Sequence, residues 1–139
     1  MWQIRPAERR DHDPVLELWD HAGPGKTAPD EWEALVGAPT SAVLVAEEAD
    51  KLVGTVVASY DGWRAYIYHL AVNPWRRREG IGNALMREAE LYLIEAGARH
   101  VYVMVNDRNT EGLALVAQTG YLPEGDMVLA KRLASRVTP

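Results

Sequence analysis

The segment from Ala65 to Gly97 constrains this chain more than any other. Ala65–Val72 is a β-branched and aromatic run that reads as a strand, whereas Ile81, Ala84, Leu85, Ala89, Tyr92, Leu93 and Ala96 recur at helical spacing until Gly97 stops them. Between the two lies the turn Asn73-Pro74-Trp75-Arg76-Arg77-Arg78-Glu79-Gly80-Ile81-Gly82. A strand that enters a basic glycine turn and leaves as a helix makes an anion cradle. The glycines let a ligand approach the backbone, and the unpaired N–H groups of the first helical turn point at negative charge. A phosphate-bearing cofactor suits that chemistry.

The flanking sequence supplies the rest of a fold. Trp2-Gln3-Ile4-Arg5 alternates and stops at Pro6, which predicts a first strand. Val15, Leu16, Leu18 and Trp19 share one face of a helix over Asp11–Asp20, with Asp13 as cap ahead of Pro14. After a loop rich in Gly and Pro, a short helix is expected over Asp30–Val36. Ala42–Ala46 and Leu52–Tyr60 then form a strand pair, and Asp61-Gly62 turns the chain into Ala65–Val72. His100–Val105 reads as a strand and Asn109–Thr119 as a helix. Closing strands are expected at Tyr121–Leu122 and Met127–Lys131, around Pro123-Glu124-Gly125-Asp126.

Bulk properties narrow the function classes. At 139 residues the chain reads as a single domain, residues 1–139, in which one site must do everything. A net charge of −5 argues against nucleic acid as a partner, since the basicity is confined to one triplet. With no cysteine, thiol catalysis, disulfides and cysteine-ligated zinc are excluded, no metal is expected, and the cytoplasm is the default compartment. No apolar run reaches the ~20 residues of a membrane span, so no membrane partner is expected.

Two nucleotide motifs fail on spacing. Gly25-Lys26-Thr27 mimics the end of a P-loop, but Asp20 stands where the first glycine belongs and a helix precedes it. Gly80-Ile81-Gly82 begins a dinucleotide fingerprint, yet Leu85 replaces the third glycine.

The order βααβββαβαβ, with Arg77-x-x-Gly80-x-Gly82 between the fourth strand and the third helix, strongly resembles the GNAT superfamily of acyl-CoA-dependent N-acetyltransferases. Tyr66-Ile67-Tyr68-His69-Leu70-Ala71-Val72-Asn73-Pro74 is similar to that family's fourth strand. Asn109-x-x-Gly112 and Gly120-Tyr121 are similar to its last helix. Asp61-Gly62 and Ala130-Lys131-Arg132-Leu133 resemble a small bacterial YpeA-like branch of unassigned substrate. The resemblance implies an α+β fold built as an α/β/α sandwich. Its sheet is mixed but mostly antiparallel, with six to seven strands splayed between the fourth and fifth, and about four helices.

The resemblance also implies a site. Acetyl-CoA is the expected cofactor, its pyrophosphate on the main chain of Arg77, Arg78, Glu79, Gly80, Ile81 and Gly82, with Asn83 just inside the helix. Its pantetheine arm pairs with Leu70, Ala71 and Val72, and Asn109 holds the pantetheine end. A backbone N–H at Leu70 or Val72 is the expected oxyanion donor. The alternative for Gly80 and Gly82 is helix–strand packing, and for Asn109 a simple cap.

Transfer to an amine of pKa ~10.4 requires removal of a proton. Tyr66 and Tyr68 alternate onto one face with Leu70 and Val72 and are the candidate bases, or else wall the acceptor pocket. His69, with an ordinary pKa of ~6.5, is the other candidate base, but the same alternation puts it with Ile67 and Ala71 on the opposite face, which favours a packing residue; His12, His21 and His100 read as structural or surface. Many relatives carry a tyrosine four residues before the Gly-aromatic pair as proton donor to the leaving thiolate; here that residue is Val116, and Tyr121 is the nearest substitute, although an aromatic there is more often a packing plug. Trp32, Trp63 and Arg64, with Glu31 and Glu33, are expected to rim the acceptor groove, or else to be core aromatic and exposed polar residues. The function so implied is acetyl transfer from acetyl-CoA to a primary amine of a small molecule or peptide. The alternative is a catalytically weak acyl-CoA-binding sensor. A homodimer is the assembly anticipated.

Overall fold

The computed structural model describes residues 1–22 and 28–134. The lysine-containing stretch Gly25-Lys26-Thr27 lies outside them. Strands β1 (Gln3–Pro6), β2 (Ser41–Glu48), β3 (Lys51–Tyr60), β4 (Ala65–Val72) and β5 (Tyr102–Val103) form one sheet in sequential order. The first four pair antiparallel and β5 joins β4 in parallel. Helices α1 (His12–Ala22) and α2 (Pro29–Gly37) cover one face, and α3 (Ile81–Ala96) covers the other, with α4 (Thr110–Gln118) beside it.

Each junction has a local cause. Asp61 Oδ1 accepts from the N–H groups of Trp63 and Arg64, and Gly62 takes φ +100°, which closes the β3–β4 hairpin. Gly97 ends α3 at φ +105°, with its N–H returned to Leu93 and Ile94 carbonyls. Gly54 supplies a close approach that the sequence reading missed: a Cβ there would sit 2.9 Å from both Ile81 and Leu85. Only a residue without a side chain lets α3 settle onto the middle of β3.

Two apolar clusters sandwich the sheet. On one side Ile81, Leu85, Met86, Ala89 and Leu93 of α3 meet Leu44, Val56, Ala58 and Ile67. On the other Val15, Leu18 and Trp19 of α1 and Trp32 of α2 meet Val43, Val45, Val57 and Ala71. Trp19 is fully buried, and its indole Nε1 donates to Thr55 Oγ1 at 2.7 Å. Burying both polar groups together avoids the cost of an unpaired one.

The structure departs from the sequence reading at both ends. A 3₁₀ turn over Arg9–Asp11 runs directly into α1, so Asp13 caps nothing and lies exposed against His12 Nδ1. Asp11 is the buried acid, accepting from the Glu8 N–H at 2.7 Å and from both terminal nitrogens of Arg5. The arginine beside it holds its carboxyl below the usual carboxylate range. At the other end no strand forms over residues 121–134, so the sheet has five strands among the described residues instead of six or seven. Leu122, Met127, Val128, Leu129 and Leu133 are exposed. Alternation is a local signal, but a strand needs an edge to pair with, and β5 offers two regular residues instead of the six expected. No helix of the described residues is long and apolar enough to cross a membrane.

Candidate active site

The parallel pairing of β4 with β5 stops at the Ile67 carbonyl, which accepts from the Met104 N–H at 3.1 Å. Beyond that bond the two strands diverge, as the sequence resemblance implied, and a cleft of about 950 Å³ opens between them. Its walls are β4 from Ile67 to Val72, the chain after β5 from Val103 to Asn106, α4 from Asn109 to Gln118, and the turn leading into α3.

The turn is built as a cradle. Arg78 and Gly80 both adopt left-handed conformations, at φ +67° and +85°. Two such residues so close together curve successive N–H groups inward, a concavity suited to an anion. A Cβ on Gly80 would meet nothing within 4 Å, so the space above it is open, whereas one on Gly82 would lie 3.0 Å from Leu115. Gly80, Ile81, Gly82 and Asn83, whose N–H groups have no partner within the first turn of α3, all line the cleft. Phosphate oxygens fit this surface.

The three arginines have different fates. Arg76 is spent on structure: it pairs with Glu79 at 2.7 Å and with Glu48 of β2 at 2.8 Å, tying the turn to the sheet. Glu79 is thereby fixed outside the cleft lining, leaving only its main chain available. Arg77 reaches across the cleft mouth to Glu111 in the first turn of α4. Arg78 has no ion-pair partner among the described residues, and Arg108 joins it in the lining. Sequence offers no signal for Arg77–Glu111 or Arg76–Glu48, since both pairs join distant parts of the chain.

Asn109 is a cap and also a lining residue. Its Oδ1 accepts from the Gly112 N–H at 3.0 Å as the α4 cap, and its side chain still borders the cleft. Asn83 also lines the cleft. Leu70 and Val72 line it as well, whereas the Ala71 side chain is buried toward α1.

The catalytic candidates separate. Tyr68 lines the cleft, with its hydroxyl 3.3 Å from Ser59 Oγ. Tyr66 does not: it packs beside Tyr102 of β5, ring centroids 5.7 Å apart. Tyr121 faces α3, where its hydroxyl donates to Glu90 Oε2 at 2.5 Å. Burial and that carboxylate push its phenol pKa well above the usual tyrosine value, and it stands outside the cleft. Val116 is buried in the α3-side core, and α4 turns Ala114, Leu115 and Gln118 to the cleft instead.

The acceptor candidates also separate. Trp32 cannot rim a groove, because it is fully buried between Trp19 and His12; α2 turned its largest residue inward. Trp63 is 77% exposed, with the Arg64 guanidinium 4.8 Å above its ring and 5.8 Å from the ring of Tyr102. That cluster sits around the β3–β4 hairpin and the start of β5, apart from the cleft lining.

The main surprise is in β4. Thr55 pairs with Ala71 and Val57 with Tyr68, so Val56 faces two residues, His69 and Leu70. His69 is the extra residue of a β-bulge, at φ +56°. The bulge breaks the alternation assumed from sequence: Leu70 and Val72 join Ile67 on the α3 side, while Tyr68, His69 and Ala71 face α1. Tyr66 and Tyr68 therefore do not share a face with Leu70 and Val72. His69 enters the cleft lining beside Tyr68.

Comparisons with known proteins agree with this architecture. Residues 2–121 match the model of the acetyltransferase (GNAT) family. The chain is 31% identical over 134 residues to acetyltransferase YE1169 of Yersinia enterocolitica, covering 94% of this chain and 95% of that one. Among solved structures, the aminoglycoside 6'-N-acetyltransferase AAC(6')-Ih of Acinetobacter baumannii superposes with a TM-score of 0.80 at 18% identity, over 97% of this chain and 100% of that one. A protein of Clostridium acetobutylicum, described as a predicted acetyltransferase and solved with acetyl-CoA, gives a TM-score of 0.78 at 12% identity, over 94% and 96%. A cleft opened by splayed strands, a cradle at the head of α3 and a family match over most of the chain lead to one conclusion: this protein belongs to the GNAT family of acetyltransferases.

Proposed function

We propose that this protein transfers an acetyl group from acetyl-CoA to a primary amine of a small molecule or peptide, by direct attack within a ternary complex. The observation that carries the reading is the cradle at Arg78–Asn83 opening onto the cleft beside β4. The N–H groups of Gly80, Ile81, Gly82 and Asn83, with the Arg77 and Arg78 guanidiniums, would hold the pyrophosphate. The main chain of Leu70, Ala71 and Val72, which has no β5 partner among the described residues, would pair with the pantetheine amides, and Asn109 would meet their far end. When bound, acetyl-CoA supplies an activated thioester, whose carbonyl oxygen a β4 N–H is suited to stabilise as charge develops. With no cysteine in the chain, direct attack needs no acylated thiol on the protein. The aminoglycoside acetyltransferases among the structural neighbours support a small-molecule amine as acceptor.

A catalytically weak acyl-CoA-binding sensor is favoured by one observation, the burial of Val116 where relatives carry a proton-donating tyrosine. Loss of a general acid costs about 10²–10⁴ in rate. A thiol of pKa ~8.5 still leaves tolerably as thiolate, so transfer remains the leading reading. Thiol release from acetyl-CoA over an amine panel, run beside calorimetry, separates the two. Turnover of a primary amine supports transfer, binding without turnover supports the sensor, and no acetyl-CoA binding overturns both.

The Arg77–Glu111 pair yields a further expectation. Glu111 competes with phosphate for Arg77, so Glu111→Gln is expected to tighten acetyl-CoA binding about two- to fivefold at low salt. An exposed ion pair contributes only ~0.2–1 kcal/mol, and screening shrinks the gain above ~0.15 M salt. Calorimetric titration at two ionic strengths checks it; weaker binding by the variant would make Glu111 a strut and not a competitor.

A further inference from the structure

The β4 bulge places a histidine where alternation alone would not. Tyr68 and His69 are consecutive, yet their rings meet edge to face with centroids 5.1 Å apart, so both project to the α1 side of the strand. The imidazole is braced on its other flank by Trp19 of α1, centroid distance 4.8 Å at 88°. It is half-buried, lines the cleft, and among the described residues neither ring nitrogen hydrogen-bonds to protein. The next residue, Leu70, begins the main-chain stretch assigned to the pantetheine and thioester. A left-handed φ at a non-glycine residue is strained, and such residues cluster at functional sites. Here the bulge turns the His69 ring to the side of Tyr68, and both residues line the cleft.

We infer that His69 is the general base of the reaction, accepting the proton of the acceptor's ammonium in the cleft beside Tyr68. The inference rests on the amine-transfer reading above. The acceptor R–NH₃⁺ gives one proton to a ring nitrogen of His69. Its freed lone pair forms the C–N bond to the thioester carbonyl carbon, the C–S bond breaks, and its electron pair leaves on sulfur. The second proton of the amide nitrogen goes to that thiolate, giving free CoA, and His69 returns its proton to water. The balance is R–NH₃⁺ plus acetyl-CoA to the acetamide, CoA and H⁺.

The surroundings suit the role. Glu31 of α2 is the charged group whose field reaches His69 and favours the imidazolium. Tyr68 of β4, Trp19 of α1 and Thr55 of β3, whose Oγ1 donates to the His69 carbonyl at 3.4 Å, are uncharged. The cleft arginines are Arg76 and Arg77, each paired with a carboxylate, together with Arg78 and Arg108. Desolvation outweighs Glu31 and holds the imidazole pKa below its usual 6.5. A neutral, proton-accepting ring at physiological pH follows from that sign.

The test uses two variants that tolerate the left-handed backbone, His69→Asn and His69→Gly. With tyramine, spermidine or kanamycin as acceptor, both are expected to lose about 10²–10⁴ in kcat/KM at pH 7. Acetyl-CoA Kd by calorimetry and Tm should stay near wild type. Wild-type kcat/KM should fall on the acid side with His69, whose ring titration by NMR should show the same pKa below 6.5. The variants should instead rise tenfold per pH unit as free amine accumulates. Aniline, neutral at pH 7, should lose little, and added imidazole should rescue His69→Gly in proportion to its neutral form. Turnover within about threefold of wild type with the acid limb intact overturns the proposal. So does an equal loss for aniline and alkylamines without imidazole rescue, which marks a structural role. A wild-type chain that binds acetyl-CoA but acetylates none of these amines overturns the transfer reading itself, and the base with it.

Discussion

Gly82→Trp is expected to abolish measurable acetyl-CoA binding, weakening it at least about a hundredfold, or ~2.7 kcal/mol. Gly82 lies in the first turn of α3, where a Cβ already falls 3.0 Å from Leu115 Cδ2 and 3.7 Å from Val72. An indole cannot stay in that gap. It must push Leu115 aside or lie across the cleft, and either course covers the N–H groups proposed to hold the pyrophosphate. Gly82 is not one of the left-handed positions, so tryptophan meets no backbone penalty there. The fold is therefore expected to survive with little change in Tm, and the loss to appear in calorimetry. Gly82→Ala should cost only a few-fold, because one methyl group asks Leu115 to move by a few tenths of an ångström. Wild-type affinity in the tryptophan variant would remove the turn from the cofactor site.

The second large effect concerns the opposite face of the sheet. Trp19→Ala is expected to destabilise the protein by about 3–5 kcal/mol, the usual cost of truncating a buried tryptophan. For a domain of this size that lowers Tm by on the order of 10 °C. Trp19 is 1% exposed and packs edge to face on Trp32 at 6.0 Å and on His69 at 4.8 Å. Its removal opens a cavity under β4 and deprives Thr55 of its indole donor. Urea denaturation measures the loss, and a change under ~1 kcal/mol would mean that α1 does not pack as described. Because the His69 ring leans on Trp19, amine turnover should fall further than the folded fraction does. Trp19→Phe, which keeps a ring but not the N–H, should fall between.

Much of the fold was legible because its signals are local. The Asp61-Gly62 turn, the glycine stop at Gly97, the period of α3 and the cap at Asn109 each depend on residues a few positions apart. The glycine turn was legible for the same reason, since Gly80 at a helix start permits the left-handed conformation found there. The fate of the aromatic and charged side chains was not. Trp32 looked like a rim residue on a short amphipathic helix, and its burial depends on how α2 is rolled against α1. Tyr121 was a candidate acid until Glu90, thirty-one residues away, engaged its hydroxyl. The closing strands had the right alternation and no sufficient edge to join.

The sequence by itself determined the order of elements as far as α4, the glycine turn between β4 and α3, and the acetyltransferase family, because these signals lie in residues a few positions apart. Tertiary structure alone decided which side chains share the cleft. The bulge at His69 changes the facing of every residue on one side of it relative to the other, and a bulge arises from how β4 is registered on β3, not from the strand's own sequence. Of the candidate bases, Tyr66 moved away, Tyr68 stayed and His69 arrived by that one-residue shift.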